Sequence, residues 1–348
     1  MTETILAFRE VVLSFETEEG SVKALNGVSL DIRKGKILGV VGESGSGKSV
    51  LALSTLGLVP RPPGRYGDGS RIFFEGKDLL RISEKELELV RGTGISMIFQ
   101  EPMLSLNPVF KVGEQIAESV RLRILRKELK EARSESLLES LRGVKGIDEN
   151  AVRKEVLDLL RDVRISDPEG ALDRYPHEFS GGMKQRVMIA MALAAKPSLL
   201  IADEPTTALD VTTQAQILSL VKDLVKEFEV SVLFISHDLS VVSEVADDIA
   251  VMYAGRIVEI NDVRSIFRDP KHPYTKGLLN AEPRLEETRQ SLESLAGSVP
   301  SLLRIPRGCA FHPRCPLAFP KCEIDVPSLM PVGGSGEVAC HLYHGEKE

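Results

Sequence analysis

Eight residues, Gly42-Glu43-Ser44-Gly45-Ser46-Gly47-Lys48-Ser49, carry the most specific chemistry in the chain. The pattern GxxxxGK[ST] makes a phosphate cradle when a strand enters it and a helix leaves it. Both flanks fit. Ile37–Val41 is a short apolar run that reads as a buried strand, and Val50–Leu58 reads as a helix. The glycines let the backbone turn so that successive N–H groups face phosphate oxygens. The N-terminal end of the helix adds its positive field. Lys48 brings a mobile charge for the β- and γ-phosphates of a nucleoside triphosphate, and Ser49 a hydroxyl for Mg²⁺. The competing reading, a glycine-rich turn that binds nothing, leaves both flanks unexplained.

Five further groups stand where they can serve a bound triphosphate. The apolar run Ser198–Ala202 ends in Asp203-Glu204, two carboxylates at the C-terminal end of a strand, where open α/β sheets place their chemistry. Asp203 suits Mg²⁺, and Glu204, facing the other side, suits an attacking water. Val230–Ile235 ends in Ser236-His237. A lone histidine at a strand end is usually structural, but this one shares the sheet edge with Lys48, Asp203 and Glu204, which points to the γ-phosphate. Ile95–Phe99 ends at Gln100 and opens a loop that Pro102 and Pro108 keep irregular. Ser180-Gly181-Gly182-Met183 reads as a second helix N-terminus, with Ser180 as the cap. Phe15, at the end of the strand Ile5–Phe15, fits either the core or a stacked base.

The elements that position these groups alternate strand and helix. Val22–Ile32 reads as one or two strands, with a turn at Asn26-Gly27. Val112–Leu141 and Ala151–Val163 read as amphipathic helices, together a helical subdomain inserted into an α/β core. Arg121, Arg123, Arg126, Lys127 and Lys130 in the first of them read as a solvated face, with a partner or anionic-lipid surface as the alternative. Gly182–Ala195 and Val211–Phe228 read as further helices, and Ala254-Gly255 as a hairpin turn. Prolines punctuate the chain beyond residue 270, which places the boundary of a small C-terminal domain near residue 265.

A chain of 348 residues with 43% hydrophobic and 27% charged residues suits a soluble protein of one large and one small domain. A net charge of −7 argues against nucleic acid as the main partner. No apolar run reaches the roughly 18–20 residues that span a bilayer, and Met1–Val12 lacks a signal-peptide layout. The expectation is a cytosolic protein that docks on something in the membrane. All 4 cysteines lie after residue 308, which in a reducing compartment suggests a metal site before disulfides.

Five elements then occur in fixed series: GESGSGKS, the loop at Gln100, FSGGMKQR, LLIADEP with Ala208-Leu209-Asp210, and Ser236-His237. In these the chain resembles the nucleotide-binding subunits of ABC transporters over about its first 260 residues. The resemblance implies an α/β P-loop core with an antiparallel β subdomain, spanning residues 1–264. It also implies an inserted helical subdomain at about 101–190 and a small irregular cysteine-containing extension at 265–348. For the matching residues it implies that Phe15 stacks on adenine and that residues 42–49, with Val50 next, form the phosphate loop. Ser49, Gln100 and Asp203 would hold Mg²⁺. Glu204 would be the catalytic carboxylate and His237 the switch histidine. Ser180, Gly181, Gly182 and Met183 would be the signature, and Asp210 would belong to the adjoining loop. Phe179 and Met183 depart from the usual LSGGQ, which predicts retained phosphate binding with altered affinity.

FQEPMLSLNP, YPHEFSGGMKQRVMIAMAL and DPKHPYTKGLL narrow the resemblance to the D-type ATPases of oligopeptide/dipeptide importers, whose relatives also carry oligosaccharides or nickel. This implies two permeases, a second, unlike ATPase and an external solute-binding protein, with the chain held peripherally at the cytoplasmic face of a prokaryotic cell membrane. Cys309, Cys315, Cys322 and Cys340 are spaced C-x5-C-x6-C-x17-C, neither a C-x2-C zinc ribbon nor a bacterial ferredoxin run. Their resemblance to the branch implies a [4Fe–4S] cluster, with Zn²⁺ and free or paired thiols as the alternatives. The rival function is a soluble ABC-type ATPase of translation or DNA repair, which would carry a second cassette, a long coiled coil or an N-terminal iron–sulfur domain.

Overall fold

The computed structural model describes residues 3–100, 105–132, 147–207, 209–281, 297–334 and 336–343, without the side chains of 127–132. Lys127, Lys130 and Ala208 therefore lie outside the described side chains or residues. Two compact units result, one of residues 1–82 with 233–348, the other of residues 83–232. The C-terminal extension falls within the first unit and the helical stretch of about 101–190 within the second.

In the first unit, Thr4–Thr17 and Gly20–Arg33 form a long antiparallel hairpin. Its apolar residues alternate inward, with Leu6 opposite Ile32, Phe8 opposite Leu30 and Leu13 opposite Leu25, and all six are buried. Arg71–Phe74 and Gly64–Tyr66 extend this sheet from the first strand. The expected turn at Asn26-Gly27 is a correction: Gly20–Arg33 is one strand. Val11 pairs with Val28 and Val12 with Asn26, so Gly27 is the extra residue of a bulge, at φ 79°. A left-handed glycine serves a bulge as well as a turn, and the dipeptide alone does not separate the two.

The second sheet element of this unit is Ile37–Val41, which runs parallel to Asp248–Tyr253. Every residue of Ile37–Val41 is buried, as expected for a strand covered on both faces. Asp248–Tyr253 turns through Ala254-Gly255 into Arg256–Asp262, as the sequence predicts. That strand in turn pairs with Glu337–Val338 of the C-terminal extension.

In the second unit, Ile95–Ile98 and Leu199–Asp203 form a parallel pair. The helices Val112–Ala132, Glu149–Asp162 and Gly181–Ala194 pack on one another. Their buried faces include Val120, Val156, Leu160 and Ile189. The basic cluster is not simply a solvated face. Arg121 pairs with Glu149 in two bonds of 3.0 and 2.6 Å. Arg123 reaches Glu155 at 2.5 Å and the carbonyl of Ala194 at 3.0 Å. Arg126 donates to the carbonyl of Arg91. These arginines tie the helices together, with partners too distant in sequence for helical periodicity to show. No described helix is long and apolar enough to cross a membrane.

Candidate functional site

The phosphate loop leaves the buried strand Ile37–Val41 and enters the helix Lys48–Thr55. Two glycines fix its path. A Cβ on Gly42 would stand 2.1 Å from the carbonyl oxygen of Met252. Gly47 caps the helix at φ 105°, in the left-handed region, and a Cβ there would meet the carbonyl oxygen of Ala24 at 2.5 Å. The hairpin braces the loop from outside, with Gly255 N–H donating to the carbonyl of Ser46 at 2.9 Å. We expect Gly47→Ala to destabilise the first unit by about 1–3 kcal/mol and to lose nucleotide binding, because the carbonyl of Ala24 crowds the position and the left-handed φ strains any side chain there. Urea unfolding and nucleotide titration measure the two effects, and wild-type values in both would contradict the crowding.

Lys48 is 5% exposed. Its Nζ donates to the carbonyl oxygens of Gly42 at 2.7 Å and Glu43 at 3.1 Å, so the ammonium is folded back across its own loop. Ser46 is 1% exposed, and its Oγ is buried without a hydrogen-bond partner. An orphaned hydroxyl beside a buried ammonium and a helix N-terminus suits an anionic, oxygen-rich ligand. Gly42, Glu43, Ser44, Gly45, Ser46, Gly47, Lys48, Ser49 and Val50 thus form the continuous turn and first helical residues that the sequence predicts. Phe15 is half-buried in the long hairpin, opposite Val22 and Gly64. His237 is exposed directly after the strand Ser231–Ser236. Asp238 next to it caps the following helix through the N–H groups of Ser240 and Val241.

The second unit holds the remaining groups. Asp203 ends the buried strand Leu199–Asp203 and is 4% exposed. Glu204 follows in the left-handed region at φ 48°, unusual for a residue with a side chain and typical of functional turns. Its carboxylate accepts from Thr207 Oγ1 at 2.9 Å and from Gln100 Nε2 at 3.2 Å. The sheet register explains the second contact. Ile98 pairs with Ala202, so Gln100 and Glu204 each lie two residues beyond the last matched pair. The sequence does not announce Thr207, because a threonine after Asp-Glu-Pro carries no signal of its own.

Ser180 caps the helix Gly181–Ala194, its Oγ accepting from Met183 N–H at 3.4 Å. Ser180 and Gly181 are exposed, Gly182 and Met183 half-exposed, a helix N-terminus open to an anion from outside the unit. Phe179 is buried at 5%. The position therefore anchors the turn in the core, and phenylalanine meets that need as leucine would. Asp210 caps the helix Val211–Phe228 through Thr213 N–H at 2.9 Å and Thr213 Oγ1 at 2.7 Å. These bonds hold its carboxyl below the usual carboxylate range.

Cys309, Cys315, Cys322 and Cys340 are free thiols lining one small apolar cavity together with His272 and Phe311. Of the alternatives free or paired, the thiols are free. Burial, with proximity to the other cysteines, raises the Cys309 and Cys315 thiols and pushes Cys340 up to about 11. Such thiols stay protonated unless a cation compensates them. Among the described residues no group of three or more His, Cys, Asp or Glu stands close enough to hold a metal ion.

Comparison with known proteins gives two family matches, "ABC transporter" over residues 25–207 and "Oligopeptide/dipeptide transporter, C-terminal region" over residues 258–322. The chain is 48% identical over 341 residues to the oligopeptide transport ATP-binding protein OppD of Bacillus subtilis (strain 168), covering 98% of this chain and 89% of that protein. It is 42% identical over 337 residues to the dipeptide transport ATP-binding protein DppD of Escherichia coli (strain K12), covering 97% and 96%. Among solved structures it is similar to the dimeric MJ0796, a bacterial ABC transporter cassette, with a TM-score of 0.60 and 25% identity over 74% of this chain and 99% of that one. A further structure of MJ0796 is a post-hydrolysis state bound to ADP and Pi, also with a TM-score of 0.60 and 25% identity over 74% and 99%.

Proposed function

The chain belongs to the ABC transporter family as an ATP-hydrolysing subunit, and from that premise we propose that it powers an importer of oligopeptides or dipeptides. The observation that carries the proposal is the pairing, in one chain, of the ABC transporter match with the oligopeptide/dipeptide C-terminal region. The relatives above are named for peptides, so peptides rather than oligosaccharides are the proposed cargo. The same C-terminal region tells against the rival role in translation or DNA repair.

Residues 42–50 hold the phosphates of ATP, and Phe15 stacks on its base. Ser49, Gln100 and Asp203 supply oxygen ligands suited to Mg²⁺. Glu204 polarises a water whose oxygen attacks the γ-phosphorus in line. The bond to the β,γ-bridging oxygen breaks, ADP leaves, and the water's proton passes to the carboxylate. His237 steadies the γ-phosphate. The exposed turn Ser180–Met183 caps the nucleotide of a second, unlike ATPase subunit, whose own signature completes this chain's pocket, and Asp210 lies at that junction. Closing and reopening of this sandwich moves two permeases at the cytoplasmic face of the membrane, fed by an external solute-binding protein. The four cysteines are of the donor type that a [4Fe–4S] cluster takes and line one cavity, but they would have to draw closer than they stand here to hold it.

Affinity purification of the tagged chain from detergent-extracted membranes tests this reading. Two integral membrane proteins and a second ATPase should accompany it, and a peptide-loaded receptor should stimulate ATP hydrolysis by the assembly. Recovery with ribosomes or DNA instead of membrane proteins would overturn it.

A further inference from the structure

The cysteine-bearing segment grips the phosphate loop, a contact that the roles assigned above leave unused. Arg314 directly precedes Cys315, and its side chain is 6% exposed. Its Nη1 donates to Glu43 Oε2 at 2.8 Å and its Nη2 to Glu43 Oε1 at 3.1 Å. This two-pronged geometry is one that arginine makes and lysine does not. A second arm holds the backbone of the same residue, with Tyr274 Oη accepting from Glu43 N–H at 2.9 Å. Tyr274 is fully buried, and its own N–H donates to His272 Nδ1 at 3.0 Å.

Both arms lead to the cysteine cavity. His272 and Phe311 line it. Phe311 meets the rings of Tyr274 at 5.4 Å and Tyr253 at 5.3 Å. The grip has a purpose that electrostatics makes plain. Glu43 puts a carboxylate inside a loop built to bind an anion, and an unneutralised carboxylate there opposes a triphosphate. Arg314 offsets that charge and draws it toward the C-terminal segment, while Tyr274 fixes the peptide at the loop's second residue.

We propose that Arg314 and Tyr274 are positioning residues for nucleotide binding. They act on ATP only through Glu43, so that the C-terminal segment sets the affinity of a loop some 270 residues away in sequence. The proposal rests on the reading of residues 42–49 as the triphosphate site.

A double-mutant cycle on the full chain, read by equilibrium binding of a fluorescent ATP analogue, tests it. Arg314→Ala should weaken binding about tenfold, as expected when one partner of a mostly buried ion pair is removed. In a Glu43→Gln background the same change should alter the dissociation constant less than twofold. Arg314→Lys, which keeps the charge but not the fork, should fall between. Thermal melting accompanies each variant. An unchanged dissociation constant for folded Arg314→Ala overturns the proposal. So does an equal loss in both backgrounds, which would make Arg314 a support of the fold alone. If Arg314→Ala does not fold, Arg314→Gln enters the same cycle under the same criteria. Failure of the wild-type chain to bind the analogue at all would instead strike the reading of the loop itself.

Discussion

Replacing Glu204 by glutamine should leave ATP binding intact while lowering hydrolysis about 100- to 1,000-fold. Glutamine is the same length and its oxygen can still accept from Thr207 Oγ1, now 2.9 Å from the carboxylate. The left-handed turn at φ 48° is a backbone property that both side chains must meet equally. Two things are lost, the negative charge that polarises water and a lone pair able to take its proton. Neither contributes to holding the triphosphate before attack. The loss of a positioned group of this kind costs about 2–4 kcal/mol in the barrier. With binding kept and hydrolysis stopped, the ATP-bound, closed form should accumulate with the partner ATPase, visible by gel filtration in ATP and Mg²⁺. Glu204→Asp offers a graded control, since it keeps the charge but withdraws it by one methylene, and orientation alone should then limit the rate. Steady-state turnover by Glu204→Gln at the wild-type rate would remove Glu204 from the chemistry.

The groups on which that experiment depends differ in how visibly the sequence announces them. The phosphate loop is legible because the motif and both its flanks agree over a single short window, and strand, turn and helix all follow within residues 37–55. Asp203-Glu204 is legible as the polar end of an apolar strand. The pairing of Glu204 with Gln100 is not, since it depends on the register that sets Ile98 beside Ala202. Asn26-Gly27 shows the limit of local signals, because a bulge and a turn ask for the same left-handed glycine. Arg121 and Arg123 show another limit. Their partners Glu149 and Glu155 lie 28 and 32 residues on, beyond any helical period. The grip of Arg314 on Glu43 spans 271 residues and involves no motif at all. What packing and pairing decide locally can be read from residue order. What topology decides needs the fold.

Lys48→Ala should produce the opposite signature, a loss at the binding step. We expect ATP affinity to fall about 100-fold, corresponding to about 2–3 kcal/mol for charge-assisted hydrogen bonds in a sheltered site. Two sources of positive potential meet at this loop, the N-terminus of the helix Lys48–Thr55 and the ammonium itself. The helix end contributes roughly 0.3–1 kcal/mol, less than a full charge brought to a triphosphate where water is largely excluded. Lys48 is 5% exposed, and its ammonium spans the loop from the carbonyl of Gly42 to that of Glu43. It can exchange those neutral acceptors for phosphate oxygens without leaving the site. Truncation removes a buried stem and two bonds to loop carbonyls along with the charge, so the melting temperature should fall modestly while binding is lost. Lys48→Arg should not rescue, because a side chain only 5% exposed leaves little space for a planar fork. In the assembled transporter, Glu204→Gln keeps nucleotide and stalls, whereas Lys48→Ala stalls without it, and a filter-binding assay on the two complexes tells them apart. Full-speed transport with Lys48→Ala would mean that this chain's own pocket does not drive the pump.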